Sequence, residues 1–250
     1  FFFSCHGILS NTGGFLATTD AEVDDYGLSM QEILQMANTS SAKNVLIILD
    51  TCHSGAMGNR SEYSSANILD GLRENITIIA ASKDSEASVE AGGHGLFTTA
   101  LIDALDGGAA DHMGWVTPPS IYAYAERRFD ALSQRPVYKS HATHMAVIRM
   151  CAPLIDRLLL HQITDYFPAQ DSQYQLDPEH EPEDENGNTH GPVNQDKVDL
   201  AQLFKSYRDA GLLKATIQGE QLYWTARRSH TVELTVRGKE YWRLVKNGRL

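Results

Sequence analysis

Five apolar residues in unbroken succession, Val45-Leu46-Ile47-Ile48-Leu49, stop at Asp50-Thr51-Cys52-His53-Ser54-Gly55. A short, branched run bounded by small polar residues reads as a strand buried on both faces, the kind that a helix-covered parallel sheet requires. The opening residues Phe1-Phe2-Phe3, closed by Ser4-Cys5-His6-Gly7, form a second such run, and Ile76 to Ala80 a third. Open parallel sheets bind ligands just beyond the carboxyl ends of their strands. If the first two runs are parallel neighbours, His6 and Cys52 leave the sheet side by side at one rim, as a base and a nucleophile.

The chemistry explains why this pairing matters. A free thiol has a pKa of about 8.5, so little of it is thiolate at neutral pH, and a nearby imidazole activates it or holds the ion pair. Gly7 lets the backbone approach a substrate carbonyl, so its N–H and that of Cys52 are candidates for an oxyanion hole. The competing account makes Cys52 a small core hydrophobe and His6 a hydrogen-bonded loop residue. Placement of both at strand ends, in glycine-punctuated turns, favours the catalytic account.

Phe3-Ser4-Cys5-His6-Gly7 together with Leu49-Asp50-Thr51-Cys52-His53-Ser54-Gly55 resembles the caspase-like cysteine peptidases, in particular their metacaspase-like prokaryotic branch. The separation of 46 residues between His6 and Cys52 is close to the roughly 50 of caspases. The resemblance runs through Ile76–Ser82, His94–Leu101, Val116-Thr117 and Gln134–Val137, and covers about residues 1–150. It implies a three-layer α/β/α sandwich with a mostly parallel sheet. In that fold two strands precede the histidine strand, so an N-terminally shortened sequence with an open sheet edge is expected. Animal caspases carry Gln-Ala-Cys-x-Gly at the nucleophile, where this chain has Asp50-Thr51-Cys52. In metacaspase-like enzymes, residues matching Asp50 and Ser4 line the S1 pocket, which implies cleavage after Arg or Lys. Alternatively, Asp50 only caps the strand-end turn.

Further readings follow along the chain. Residues 8–28, with Asp20, Glu22, Asp24 and Asp25, are read as a solvated loop. Calcium-dependent metacaspases place acids here and at the start of the next helix, where this chain has Ser29-Met30, so the calcium pattern is incomplete; no cofactor is expected, with calcium as the alternative. A short helix over Met30–Ala37 follows. Arg60, in the polar loop after Cys52, is a candidate self-cleavage site. His94, at the start of a helix over Gly95–Leu105, is read as structural, because the helix dipole disfavours its protonated form. His53 is read as a turn-former. A helix from Thr117 to about Ala131 and strands at 135–138 and 145–150 complete this part. Cys5, Cys52 and Cys151 have no zinc spacing and suggest no disulfide framework, which points to a reducing, cytoplasmic location. No apolar run reaches the 18 or so residues of a membrane span.

The predicted organisation is a peptidase domain over 1–152, an exit helix with an acidic linker over 153–196, and a small α+β domain over 197–250. Residues 168–196 hold eight acids and few apolar side chains, a composition expected to remain unordered. The last part is predicted as a helix from Val198 to Gly211, a hairpin of 213–217 with 222–225, and a final helix from Leu234. This order resembles a winged-helix module, a class used for protein docking, dimerisation or DNA binding. Charge divides sharply, with 27 acidic and 10 basic residues in 1–196 against 5 and 11 in 197–250. An acidic catalytic part suits basic polypeptide substrates and not nucleic acid. Two functions are compatible with these features: an active cysteine endopeptidase, or an inactive caspase-like scaffold acting through the C-terminal module as a protein-interaction or DNA-binding regulator.

Overall fold

The computed structural model describes residues 1–51, 72–81, 95–129, 135–184, 186–189 and 192–250. Contacts divide the chain into two compact units, Phe1–Cys151 and Ala152–Leu250.

In the first unit the apolar runs form the predicted strands. They are β1 (Phe2–Cys5), followed by β2 (Gly7–Ser10), β3 (Gly13–Leu16), β4 (Leu28–Ser29), α1 (Met30–Thr39), β5 (Val45–Thr51) and β6 (Ile76–Ala80). After these come α2 (Leu96–Asp103), β7 (Trp115–Val116), α3 (Pro118–Glu126), β8 (Val137–His141) and β9 (Arg149–Met150). The main sheet has the order β1-β5-β6-β8, with β1, β5 and β6 parallel and β8 antiparallel.

Strand alternation sorts the side chains onto two faces. Phe3, Cys5, Ile47, Leu49, Ile76, Ile78 and Ala80 pack with Met30, Ile33 and Ala37 of α1. Ile48, Ile79 and Ala81 pack with Phe97, Ala100 and Leu101 of α2 and Ile121 and Ala125 of α3. The result is the expected three-layer α/β/α arrangement. Burial of each large aliphatic side chain contributes about 1.5–3 kcal/mol, so β5 and β6, covered on both faces, anchor the unit. α1 begins at a capping box in which Ser29 Oγ accepts from Glu32 N–H while the Glu32 carboxylate accepts from Ser29 N–H.

Local differences from the sequence expectations have physical causes. Much of the loop predicted over 8–28 is an antiparallel sheet of order β2-β3-β4, closed by a two-residue turn between Ser10 and Gly13. Gly13 takes φ +142°, a backbone conformation other residues rarely adopt. The strand predicted over 145–150 shrinks to Arg149–Met150, paired with β7.

The second unit contains α4 (Arg157–His161), α5 (Ile163–Tyr166), β10 (Gln173–Gln175), α6 (Gln195–Asp209), β11 (Leu213–Ala215), α7 (Leu222–Arg227), β12 (Thr231–Leu234) and α8 (Val236–Lys246). Its sheet is antiparallel, in the order β10-β12-β11. Two expectations are corrected here. The hairpin of 213–217 with 222–225 does not form. Leu222, Thr225 and Ala226 are buried at helical spacing in α7, and β11 pairs with β12 instead. The supposed linker over 168–196 is also part of the unit. It supplies β10 to the sheet edge and buries Leu176 and His180.

The cations of the tail explain why so acidic a segment is ordered. Lys197 pairs with Asp177 at 2.5 Å and Glu179 at 3.0 Å, Lys205 with Glu181 at 2.7 Å, and Lys239 with Asp171 at 2.5 Å. Trp242 Nε1 donates to the Phe167 carbonyl at 2.6 Å, which holds α8 against the start of the same segment.

Candidate active site

The parallel register sets the site. Phe3 lies opposite Leu49, Ser4 opposite Asp50, and Cys5 opposite Thr51. Both strands therefore end at one rim, where β1 continues into His6 and β5 into Cys52. Cys52 lies outside the described residues, as do His53, Arg60 and His94.

His6 has an exposed side chain and an anchored backbone. Its carbonyl accepts the Ala17 amide at 2.9 Å and the Cys5 thiol at 3.1 Å. The next residue, Gly7, opens β2 opposite Leu16. The histidine is thus held at the junction of the main sheet and the β2–β3 hairpin. Cys5 packs on the α1 side of the sheet. The Cys151 thiol points to the Leu105 carbonyl at 3.7 Å.

Asp50 is the buried acid of this rim, with 6% of its surface exposed. Thr98 Oγ1, from the first turn of α2, donates to its Oδ2 at 2.5 Å. Ser4, its register partner, shares its face of the sheet and is exposed to solvent. A buried carboxylate of this kind favours a cationic partner over an anionic one.

Ser4 and Asp50 are therefore adjacent, and His6 leaves the same rim. Thr98 is the member of this cluster that sequence reasoning missed. The available signal was a pair of hydroxyl residues, Thr98-Thr99, opening an otherwise apolar helix just past the third buried strand.

Among the described residues, no group of three or more His, Cys, Asp and Glu is arranged to hold a metal ion. The acidic stretch after β3 forms a tight turn, with Glu22 and Asp25 exchanging backbone hydrogen bonds and Asp24 at φ +69°. The Thr18 hydroxyl draws the Asp20 carboxyl below its ordinary pKa. Ser29 is the N-cap of α1. Among the described residues, no helix is long and apolar enough to cross a membrane.

No curated protein matches the sequence. A family model for the caspase domain matches residues 1–147, more than half of the chain and nearly all of the first unit. With the parallel sheet, the histidine at its rim and Asp50-Thr51 leading into a cysteine, that match identifies the chain as a member of the caspase-like cysteine peptidase family.

Proposed function

We propose that the chain is a cysteine endopeptidase that uses Cys52 as nucleophile and His6 as base to cleave polypeptides after Arg or Lys. The observation that supports this reading is the β1–β5 register, which ends both strands at one rim, with Asp50 buried there and His6 following directly on β1.

In this mechanism the Cys52 thiolate, its proton taken by His6, attacks the scissile carbonyl. The oxyanion is held by the N–H groups of Gly7 and Cys52. His6 returns the proton to the leaving amine, which departs and leaves a thioester. Water, deprotonated by His6, then attacks the thioester, releasing the new carboxylate and regenerating the thiol. Ser4 and Asp50 bind the side chain before the cut. The buried carboxylate attracts a guanidinium or ammonium and repels an acidic side chain.

The second unit is read as a protein-docking or dimerisation module. Three cations of its tail, Lys197, Lys205 and Lys239, are engaged by its own acidic segment, and residues 152–250 carry 15 acids against 12 bases, which weighs against a nucleic-acid partner.

The test is covalent trapping of the full-length protein with a peptidyl ketone electrophile ending in Arg. The expected result is labelling at Cys52 that is lost in Cys52→Ala and His6→Ala, with the matched Asp ketone unreactive. Absence of labelling refutes the peptidase; preference for the Asp reagent refutes only the S1 assignment.

A further inference from the structure

We infer that Thr98 is a positioning residue that sets the preference of this site for a cationic P1 side chain, a role that rests on the peptidase reading above. Asp50 is nearly enclosed, so bulk water does little to orient its carboxylate, and the terminal torsion of an aspartate is intrinsically broad. The Thr98 hydroxyl at 2.5 Å fixes that torsion from across the layer.

The adjacent threonine shows that this direction is specific. Thr99 Oγ1 turns back on its own helix and donates to the Gly95 carbonyl at 3.2 Å, whereas Thr98 Oγ1 reaches out to β5. The helix holds Thr98 firmly, because Phe97, Ala100 and Leu101 around it are buried against Ile48 and Ile79. A β-branched side chain on a packed helix has few rotamers, so the donor is placed in advance of substrate.

Charge explains why a hydroxyl suits this position. A lysine or arginine at 98 would also orient Asp50, but would cancel the charge that attracts substrate. A neutral donor fixes the carboxylate and leaves its charge intact. A carboxylate offers about four acceptor sites and a hydroxyl donates to only one, a smaller claim on the group than that of a two-pronged guanidinium. The first turn of α2 adds its positive dipole end beneath the same group.

The experiment measures kcat and KM in the full-length protein for matched peptides with Arg, Lys or Leu at P1. It compares wild type, Thr98→Val, Thr98→Ser and Asp50→Asn. Loss of one donor to a charged group should lower the Arg-to-Leu ratio of kcat/KM about tenfold in Thr98→Val, through KM, and Thr98→Ser should recover most of it. A Thr98→Val enzyme whose ratio is unchanged, or which loses activity equally on Arg and Leu peptides, overturns the role of Thr98. If Asp50→Asn abolishes Arg preference in the same experiment, the underlying reading of the site survives that failure. An Asp50→Asn enzyme with wild-type Arg preference overturns both. Should Thr98→Val melt below the assay temperature, Thr98→Ala measured against Thr98→Ser applies the same criterion.

Discussion

Gly238 offers a sharp test of how the second unit is packed, because two effects of opposite sign meet there. It sits in the first turn of α8, where the Thr235 hydroxyl accepts its N–H at 3.1 Å. Helix propensity alone makes Gly238→Ala stabilising by about 1 kcal/mol. The structure reverses the sign. A Cβ at 238 would lie 2.0 Å from the Leu212 carbonyl oxygen and 3.2 Å from Leu234 Cβ. That carbonyl cannot simply retreat, since it accepts the Thr235 amide at 2.9 Å, and Thr235 Oγ1 in turn donates to the Gly211 carbonyl at 2.7 Å. Forcing α8 away combines an overpacking penalty of about 1–3 kcal/mol with the loss of one or two hydrogen bonds at about 1 kcal/mol each. After the propensity gain, a net loss of about 1–4 kcal/mol remains. For a unit of about 100 residues this lowers the melting temperature by roughly 4–30 °C. Tryptophan fluorescence during heating follows it, as Trp242 is tied to Phe167 by the same helix. An unchanged or higher melting temperature would refute the close approach of α8 to Leu212.

Acid should weaken this unit through its carboxylates. Hydrogen bonding from Lys239 holds Asp171 below its ordinary pKa, His230 and Arg228 do the same for Glu220, and Lys214 for Glu233; at Asp177 burial pushes upward but bonds from Lys197 and His180 outweigh it. A carboxyl depressed in the folded state supplies stability above its unfolded pKa and loses it as pH falls through the folded value. The melting temperature is therefore expected to drop below about pH 4, and a flat profile from pH 6 to pH 3 would contradict the ion-pair assignment. In the first unit, Ser29→Ala removes the acceptor of the α1 capping box and should cost about 1 kcal/mol in urea unfolding, while Ser29→Asp should retain most of the cap. Equal stability of the two variants would show that the cap contributes nothing.

The buried strands of the first unit were legible because a parallel sheet covered on both faces leaves a near-continuous apolar run: Val45–Leu49 is unbroken, and Ile76–Ala80 is interrupted by Thr77 alone. Their parity then placed Asp50 on the opposite face from Leu49. Thr98 was not legible, because its partner lies 48 residues earlier and a threonine in a first helical turn reads as a cap. The small sheet over 7–29 was obscured by its glycines, which the hairpin requires at Gly13. In the second unit, Leu222-Tyr-Trp-Thr has the residues of a strand, and only burial of Leu222, Thr225 and Ala226 on one side makes it a helix. The acidic segment was misread for a different reason. Weighed on its own composition it cannot order itself, but the lysines that pair with four of its eight acids stand 18 to 68 residues beyond them, at 197, 205 and 239.

The residue-for-residue match of β1 to β5 makes the site sensitive to length more than to composition. Phe2 and Phe3 could give way to other bulky apolar residues with little change at the rim. A slip of β1 by one residue along β5 would turn Ser4 and His6 to the other face, toward the helix that now covers Cys5, and strip Asp50 of its neighbour. In this short strand the count of residues works like the ward of a lock: the metal can vary, but the notches cannot move.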